Sequence, residues 1–156
     1  MSNNAAPEIK YDVFVSFRGQ DIRDGFLSHL IDAFERKKIN YFVDYNLEKG
    51  DEIWPSLVEA IQRSLISLVI FSPDYGSSRW CLKEVVKILE CRKEYGRIVI
   101  PVFFHVQPTD VRNQLGSYAE AFAVHEREQM MEEVQRWRHA LNKSADLAGI
   151  DSSKFP

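Results

Sequence analysis

The side chains best placed to do chemistry fall in three short stretches. The first, Ser77-Ser78-Arg79-Trp80-Cys81-Leu82-Lys83-Glu84, follows an apolar run and opens a helical pattern with a tryptophan, a cysteine and one carboxylate. At about 100° per residue, Leu82, Val85, Val86 and Leu89 form a core stripe, while Arg79, Lys83, Lys87 and Glu90 share a polar edge. Glu84 lies off that edge, among Trp80, Cys81, Ile88 and Cys91. A carboxylate among apolar neighbours is costly to desolvate without partners, and burial raises its pKa. The plainer alternative is a surface pair with Lys87, one turn further on. In the second stretch, Phe17-Arg18-Gly19-Gln20-Asp21, Arg18 can hold an anionic group such as a diphosphate, or simply pair with a nearby acid in a turn. The third, Asp44 to Glu52 with Gly50 as a hinge, reads as a loop that covers a site or merely faces water.

Several chemistries are missing their parts. No G-x-G-x-x-G fingerprint and no G-x-S-x-G elbow occurs, and no cysteine–histidine pair is set up as a nucleophile. A phospho-acceptor has no acidic cluster after the first strand and no aspartate ending the third. Cys81 and Cys91 stand ten residues apart on one helix, roughly 15 Å, too far for a disulfide and without metal-ligand spacing. The histidines, His29, His105, His125 and His139, are scattered, so no metal site is expected. A net charge of −3 gives no general attraction to nucleic acid. No apolar run is long enough to span a membrane. Met1 to Glu8 is polar and lacks the apolar core of a secretory signal.

The elements that must position these residues follow in order. Tyr11 to Ser16 and Ile39 to Val43 read as strands, joined by one amphipathic helix from Asp21 to Lys37. Ile53 to Arg63 is helical, with Pro55 in its first turn. Leu65 to Phe71 and Arg97 to Phe104 are apolar on both faces, and Pro101 implies a bulge or a place near an edge in the latter. Arg79 to Tyr95 is a helix stopped by Gly96. Helices follow from about Ser117 to Glu128 and from about Met130 to Leu147, and Ala148 to Ile150 makes a short last strand. Strands alternating with helices give an α/β protein with a flavodoxin-like five-stranded parallel sheet of order 2-1-3-4-5. In such a sheet the ligand crevice lies at the carboxyl ends of strands 1 and 3, where all three stretches converge.

Tyr11-Asp12-Val13-Phe14-Val15-Ser16-Phe17-Arg18-Gly19, Asp44 to Ile53, Ser78 to Glu84, Ile100 to Phe104 and Pro108-Thr109-Asp110-Val111-Arg112 closely resemble, in order and spacing, a plant TIR domain. That is the signalling module of TIR-type NLR disease-resistance receptors. The resemblance covers about residues 10–150, leaving 1–9 as a disordered tail and 151–156 as a linker or the start of a truncated last helix. It implies cleavage of NAD⁺ at the nicotinamide–ribose bond, switched on by self-association that is weak in the isolated domain. NAD⁺ is then substrate, and no cofactor or metal is implied.

Glu84 matches the family's catalytic glutamate. Phe17, Arg18, Gly19, Gln20 and Asp21 match its substrate-binding segment, Asp44 to Glu52 its BB loop with Gly50, and Trp80 its pocket wall. Ile22 extends the segment where relatives usually carry threonine, so a hydrogen bond is missing or replaced there. Ser28 and His29 match a pair used in one homotypic interface. The resemblance places the protein in the cytoplasm and also the nucleus, with other TIR domains as partners. It leaves one rival: a non-enzymatic module that signals only by assembly.

Overall fold

The strand pattern with the strongest sequence signal supplies the centre of the fold. The computed structural model describes residues 5–45 and 51–151. Its strands are β1 (Tyr11–Ser16), β2 (Tyr41–Val43), β3 (Ser64–Phe71), β4 (Ile98–Phe103) and β5 (Ile150–Asp151). All pair in parallel, in the order β2-β1-β3-β4-β5. This is the flavodoxin-like winding expected from the alternation of strands and helices.

Strand alternation divides the core in two. Val13, Val15, Leu68, Ile70 and Val102 point to one side, where Ile22, Leu27 and Phe34 cover them from α1 (Gln20–Asp24) and α2 (Phe26–Arg36). Phe14, Val69, Phe71, Val99 and Phe103 point to the other. There they meet α3 (Trp54–Gln62), α4 (Arg79–Tyr95), α5 (Pro108–Asn113), α6 (Ser117–Glu128) and α7 (Met131–Ala145), through side chains such as Leu57, Leu82, Val111, Phe122 and Trp137. Burying both sheet faces is what the continuous apolar runs of β3 and β4 require.

Three local features depart from the sequence reading, while Pro101 meets the second of its two expected placements. The helix expected as one piece from Asp21 to Lys37 is broken at Gly25, whose φ of −108° and ψ of −96° separate α1 from α2. Pro101 makes no bulge: the β3–β4 register runs unbroken from Ile66↔Ile98 to Phe71↔Phe103. It lies near an edge, because β5 pairs only with Val102 and Phe103. The short helix α5 was not expected, and it opens on Pro108, a residue preorganised for a first helical position. The supposed tail is held at its inner end, since Arg97 Nη2 donates to Pro7 O at 2.7 Å and Arg63 Nε to Glu8 O at 3.1 Å. Residues 1–4 and 152–156 lie outside the described residues.

The segment between β3 and α4 positions the candidate site, and one glycine governs it. Gly76 sits in a single 3-10 turn, Tyr75–Ser77, and its carbonyl pairs with His125 Nε2 at 2.9 Å. A Cβ there would lie 2.6 and 2.8 Å from ring atoms of Tyr118, which is fully buried and donates its hydroxyl to Ser72 O. Gly76→Ala is therefore expected to destabilise the domain by about 1–3 kcal/mol through overpacking. Urea unfolding measures this, and an unchanged midpoint would show that the Tyr118 ring yields without cost.

Candidate functional site

Glu84 owes its position to the start of α4. Ser78 is the N-cap, its Oγ accepting from Cys81 N at 3.2 Å, and Gly96 closes the helix in the left-handed region at φ 69°. Glu84 then projects inward beneath the carboxyl end of β1 and is only 2% exposed. Ser16 Oγ donates to Glu84 Oε1 at 2.7 Å and lies 2.8 Å from Tyr75 Oη. Tyr75 Oη in turn donates to Cys81 O at 3.1 Å. Lys87, the surface partner that the helical spacing offers, bonds to Glu90 at 3.4 Å.

Ser16 and Tyr75 escape a local reading of the sequence because they lie 68 and 9 residues before Glu84. One signal was available for Ser16. It follows Phe14 in the alternation of β1 and so faces the same side as α4. Burial pushes the Tyr75 phenol well above its ordinary pKa, and Cys81 and the Glu84 carboxylate add to the effect. Tyr75 thus remains a neutral hydroxyl donor. Tyr118 behaves alike, with burial the main cause.

The loops over the strand ends are tied together. Cys81 Sγ reaches Phe17 O at 3.5 Å and Ser72 Oγ donates to Arg18 O at 3.3 Å. Gly19, at φ 108°, turns the chain from β1 into α1 through a conformation side chains rarely adopt. A cleft of ≈ 430 Å³ opens here, lined by Arg18, Gly19, Gln20 and Ile22 on one wall and by Ser72, Pro73, Asp74, Phe104 and His105 on the other. It is at the β1/β3 switch point, where the winding of the sheet reverses.

The structure brings together only part of the expected site. Arg18, Gly19, Gln20 and Ile22 line the cleft; Glu84 and Trp80 do not. Ile22 is buried in the α1–α2 core, so it fills an apolar position where the resemblance leads one to look for a hydroxyl. Phe17 packs against Tyr45 with ring centroids 6.2 Å apart. Trp80 stands on Trp54 at 5.6 Å, and the Lys83 ammonium lies 4.5 and 4.7 Å from the two rings. Ser28 and His29 are exposed on α2. Gly50 and residues 46–49 lie outside the described residues, as does the side chain of Asp21.

The fold and the site thus define a flavodoxin-like α/β domain with a buried carboxylate beneath its switch point. The chain belongs to the TIR-domain family, whose model matches residues 10–156. It is 47% identical over 152 residues to the disease resistance protein RPV1 of Vitis rotundifolia, covering 95% of this chain and 11% of that protein. It is 46% identical over 151 residues to the TMV resistance protein N of Nicotiana glutinosa, covering 95% and 13%. The chain therefore spans a small part of the curated relatives it matches. Among solved structures, the TIR domains of the activated Roq1 resistosome, which directly recognises the pathogen effector XopQ, superpose with a TM-score of 0.84. They are 44% identical, over 93% of this chain and 89% of theirs. Among the described residues, no helix is long and apolar enough to cross a membrane, and no group of three or more His, Cys, Asp or Glu side chains could hold a metal ion.

Proposed function

We propose that this domain cleaves NAD⁺ at the nicotinamide–ribose bond when copies assemble, as the signalling part of a plant disease-resistance receptor. The observation that carries the reading is the Glu84 carboxylate, buried at the switch point and held by Ser16 at 2.7 Å. As the C–N bond breaks, its electron pair neutralises the pyridinium nitrogen, and positive charge builds on the ribose. A carboxylate facing the ribose stabilises that charge. Nicotinamide departs neutral and needs no strong acid, so one carboxylate beside the ribose suffices. In hydrolysis, water then adds to the ribose carbon and gives up a proton. Arg18, exposed on the wall of the cleft, supplies a cation for the diphosphate.

Burial also supports dependence on assembly. A ribose cannot reach a carboxylate that is 2% exposed unless the site rearranges, so a lone copy is idle and a second state must be favoured by binding neighbours. The likeness to the TIR domains of a resistosome supports the same view. That burial equally favours the rival, a module that signals by assembly without catalysis. The experiment measures nicotinamide release from NAD⁺ across a range of protein concentrations. Specific activity is expected to rise with concentration and to be absent at every concentration from Glu84→Ala. A constant specific activity removes the dependence on assembly. No release by wild type at any concentration leaves the non-enzymatic reading.

A further inference from the structure

Of the four histidines, His125 has no part in the site described above, yet it is 4% exposed, on the inner face of α6. Tyr118, Phe122 and His125 are the buried residues of that helix, at spacings of four and three, so they form one stripe. The His125 ring stands edge-on to Phe122 at 5.3 Å and to Trp137 of α7 at 5.1 Å. Two rings thus fix its orientation, and its Nε2 meets Gly76 O at 2.9 Å. A carbonyl only accepts, so Nε2 carries the hydrogen and donates it.

The stripe meets the β3–α4 loop at two points. Two turns of α6, roughly 10 Å, separate Tyr118 from His125. Tyr118 donates to Ser72 O at 2.8 Å, where the loop leaves β3, and His125 donates to Gly76 O in the 3-10 turn. The same stretch of loop also touches the site. Ser72 Oγ donates to Arg18 O. Tyr75, the residue before Gly76, places its hydroxyl 2.8 Å from Ser16 Oγ, which donates to Glu84. Buried polar groups are costly to leave unpaired, so each bond in this chain constrains the next.

We propose that His125 is a positioning residue for Glu84: α6 braces the β3–α4 loop, and the Tyr75 and Ser16 hydroxyls pass that constraint to the carboxylate. Without the imidazole donor, the Gly76 carbonyl is buried and unpaired, and the loop opens toward water to satisfy it. Opening there carries Tyr75 away from Ser16 and loosens the first turn of α4 at Ser78 and Cys81. The far end of α4, around Cys91, keeps its own packing. The brace rests on these hydrogen bonds alone, whereas its effect on a reaction rests on the NAD⁺ cleavage proposed above.

Thiol labelling of the folded domain without NAD⁺ tests the brace. Cys81 and Cys91 are both 1% exposed and lie roughly 15 Å apart on α4, so Cys81 reports opening of the loop and Cys91 reports global unfolding. His125→Leu keeps bulk but no donor. It is expected to raise the labelling rate of Cys81 about tenfold relative to Cys91, read by mass spectrometry. His125→Gln keeps an N–H donor and is expected to restore the wild-type ratio. Tyr118→Phe removes one hydroxyl and leaves the ring, and it is expected to raise the ratio in the same direction even if the leucine variant does not fold. With NAD⁺, His125→Leu is expected to lose about tenfold in kcat for nicotinamide release with KM unchanged, and His125→Gln to regain it. The proposal is overturned if both thiols accelerate alike, if the glutamine variant matches the leucine variant, or if kcat stays unchanged while the ratio rises. Wild type that releases no nicotinamide overturns the proposed reaction alone, and the thiol ratio then still decides the brace.

Discussion

Glu84→Gln is expected to lower nicotinamide release by at least about a thousandfold while leaving the domain folded. The amide keeps the volume of the side chain and an oxygen to accept from Ser16, but it brings no negative charge to a developing ribose cation. Ser16→Ala is the informative companion. The Ser16 hydroxyl sits between Glu84 at 2.7 Å and Tyr75 at 2.8 Å, so its loss removes a hydrogen bond that favours the ionised carboxylate. The rate at neutral pH is expected to fall about 10- to 100-fold, and the acid limb of the rate–pH profile to move to higher pH. Ser16→Thr restores the hydroxyl and is expected to restore the profile. A shift of that limb separates positioning of Glu84 from a general loss of structure, which would lower the rate at all pH values alike. Glu84→Gln protein that releases nicotinamide at the wild-type rate would refute the catalytic role.

How far the sequence leads depends on how local the determining physics is. β3 and β4 were legible because strands buried on both faces are apolar at nearly every position. The bounds of α4 were legible because Ser78 caps it and Gly96 ends it. The break at Gly25 was not, since the apolar stripe continues in phase from Ile22 through Phe26 to Phe34 on both sides of it. Glu84 could be singled out by its angle on the helix. Its partners could not, because only the sheet order brings Ser16 of β1 and Tyr75 after β3 to the same carboxylate. The same topology separates residues that the sequence reading had grouped. Ile22 belongs to the core beneath α1 and α2, whereas Trp80 packs with the core on the opposite face of the sheet.

Arg97 supplies the largest stability effect expected, and its role has no sequence signature beyond a charge at the mouth of an apolar strand. It stands just before β4 and is 8% exposed. Its Nε donates to Gln62 O at 3.1 Å, and its Nη2 donates to Gln62 O and to Pro7 O, both at 2.7 Å. The guanidinium also lies 5.7 Å from the Tyr95 ring centroid. One side chain therefore fastens the segment leading into β1, the end of α3 and the start of β4. Lys10 N and Tyr11 N continue that seam by donating to Arg63 O at 2.7 and 3.0 Å. Hydrogen bonds from a charged donor contribute about 1.5–3 kcal/mol each, and a truncation here also strands two carbonyls. Arg97→Ala is expected to cost about 3–5 kcal/mol, and the melting temperature to fall by about 10 °C or more. Arg97→Lys keeps the charge but not the planar fork, so it is expected to recover only part of the loss. Urea unfolding of the three proteins ranks them, and limited proteolysis near Pro7 should quicken in the same order. A loss below about 1 kcal/mol for Arg97→Ala would mean that water satisfies those carbonyls as well as the guanidinium does.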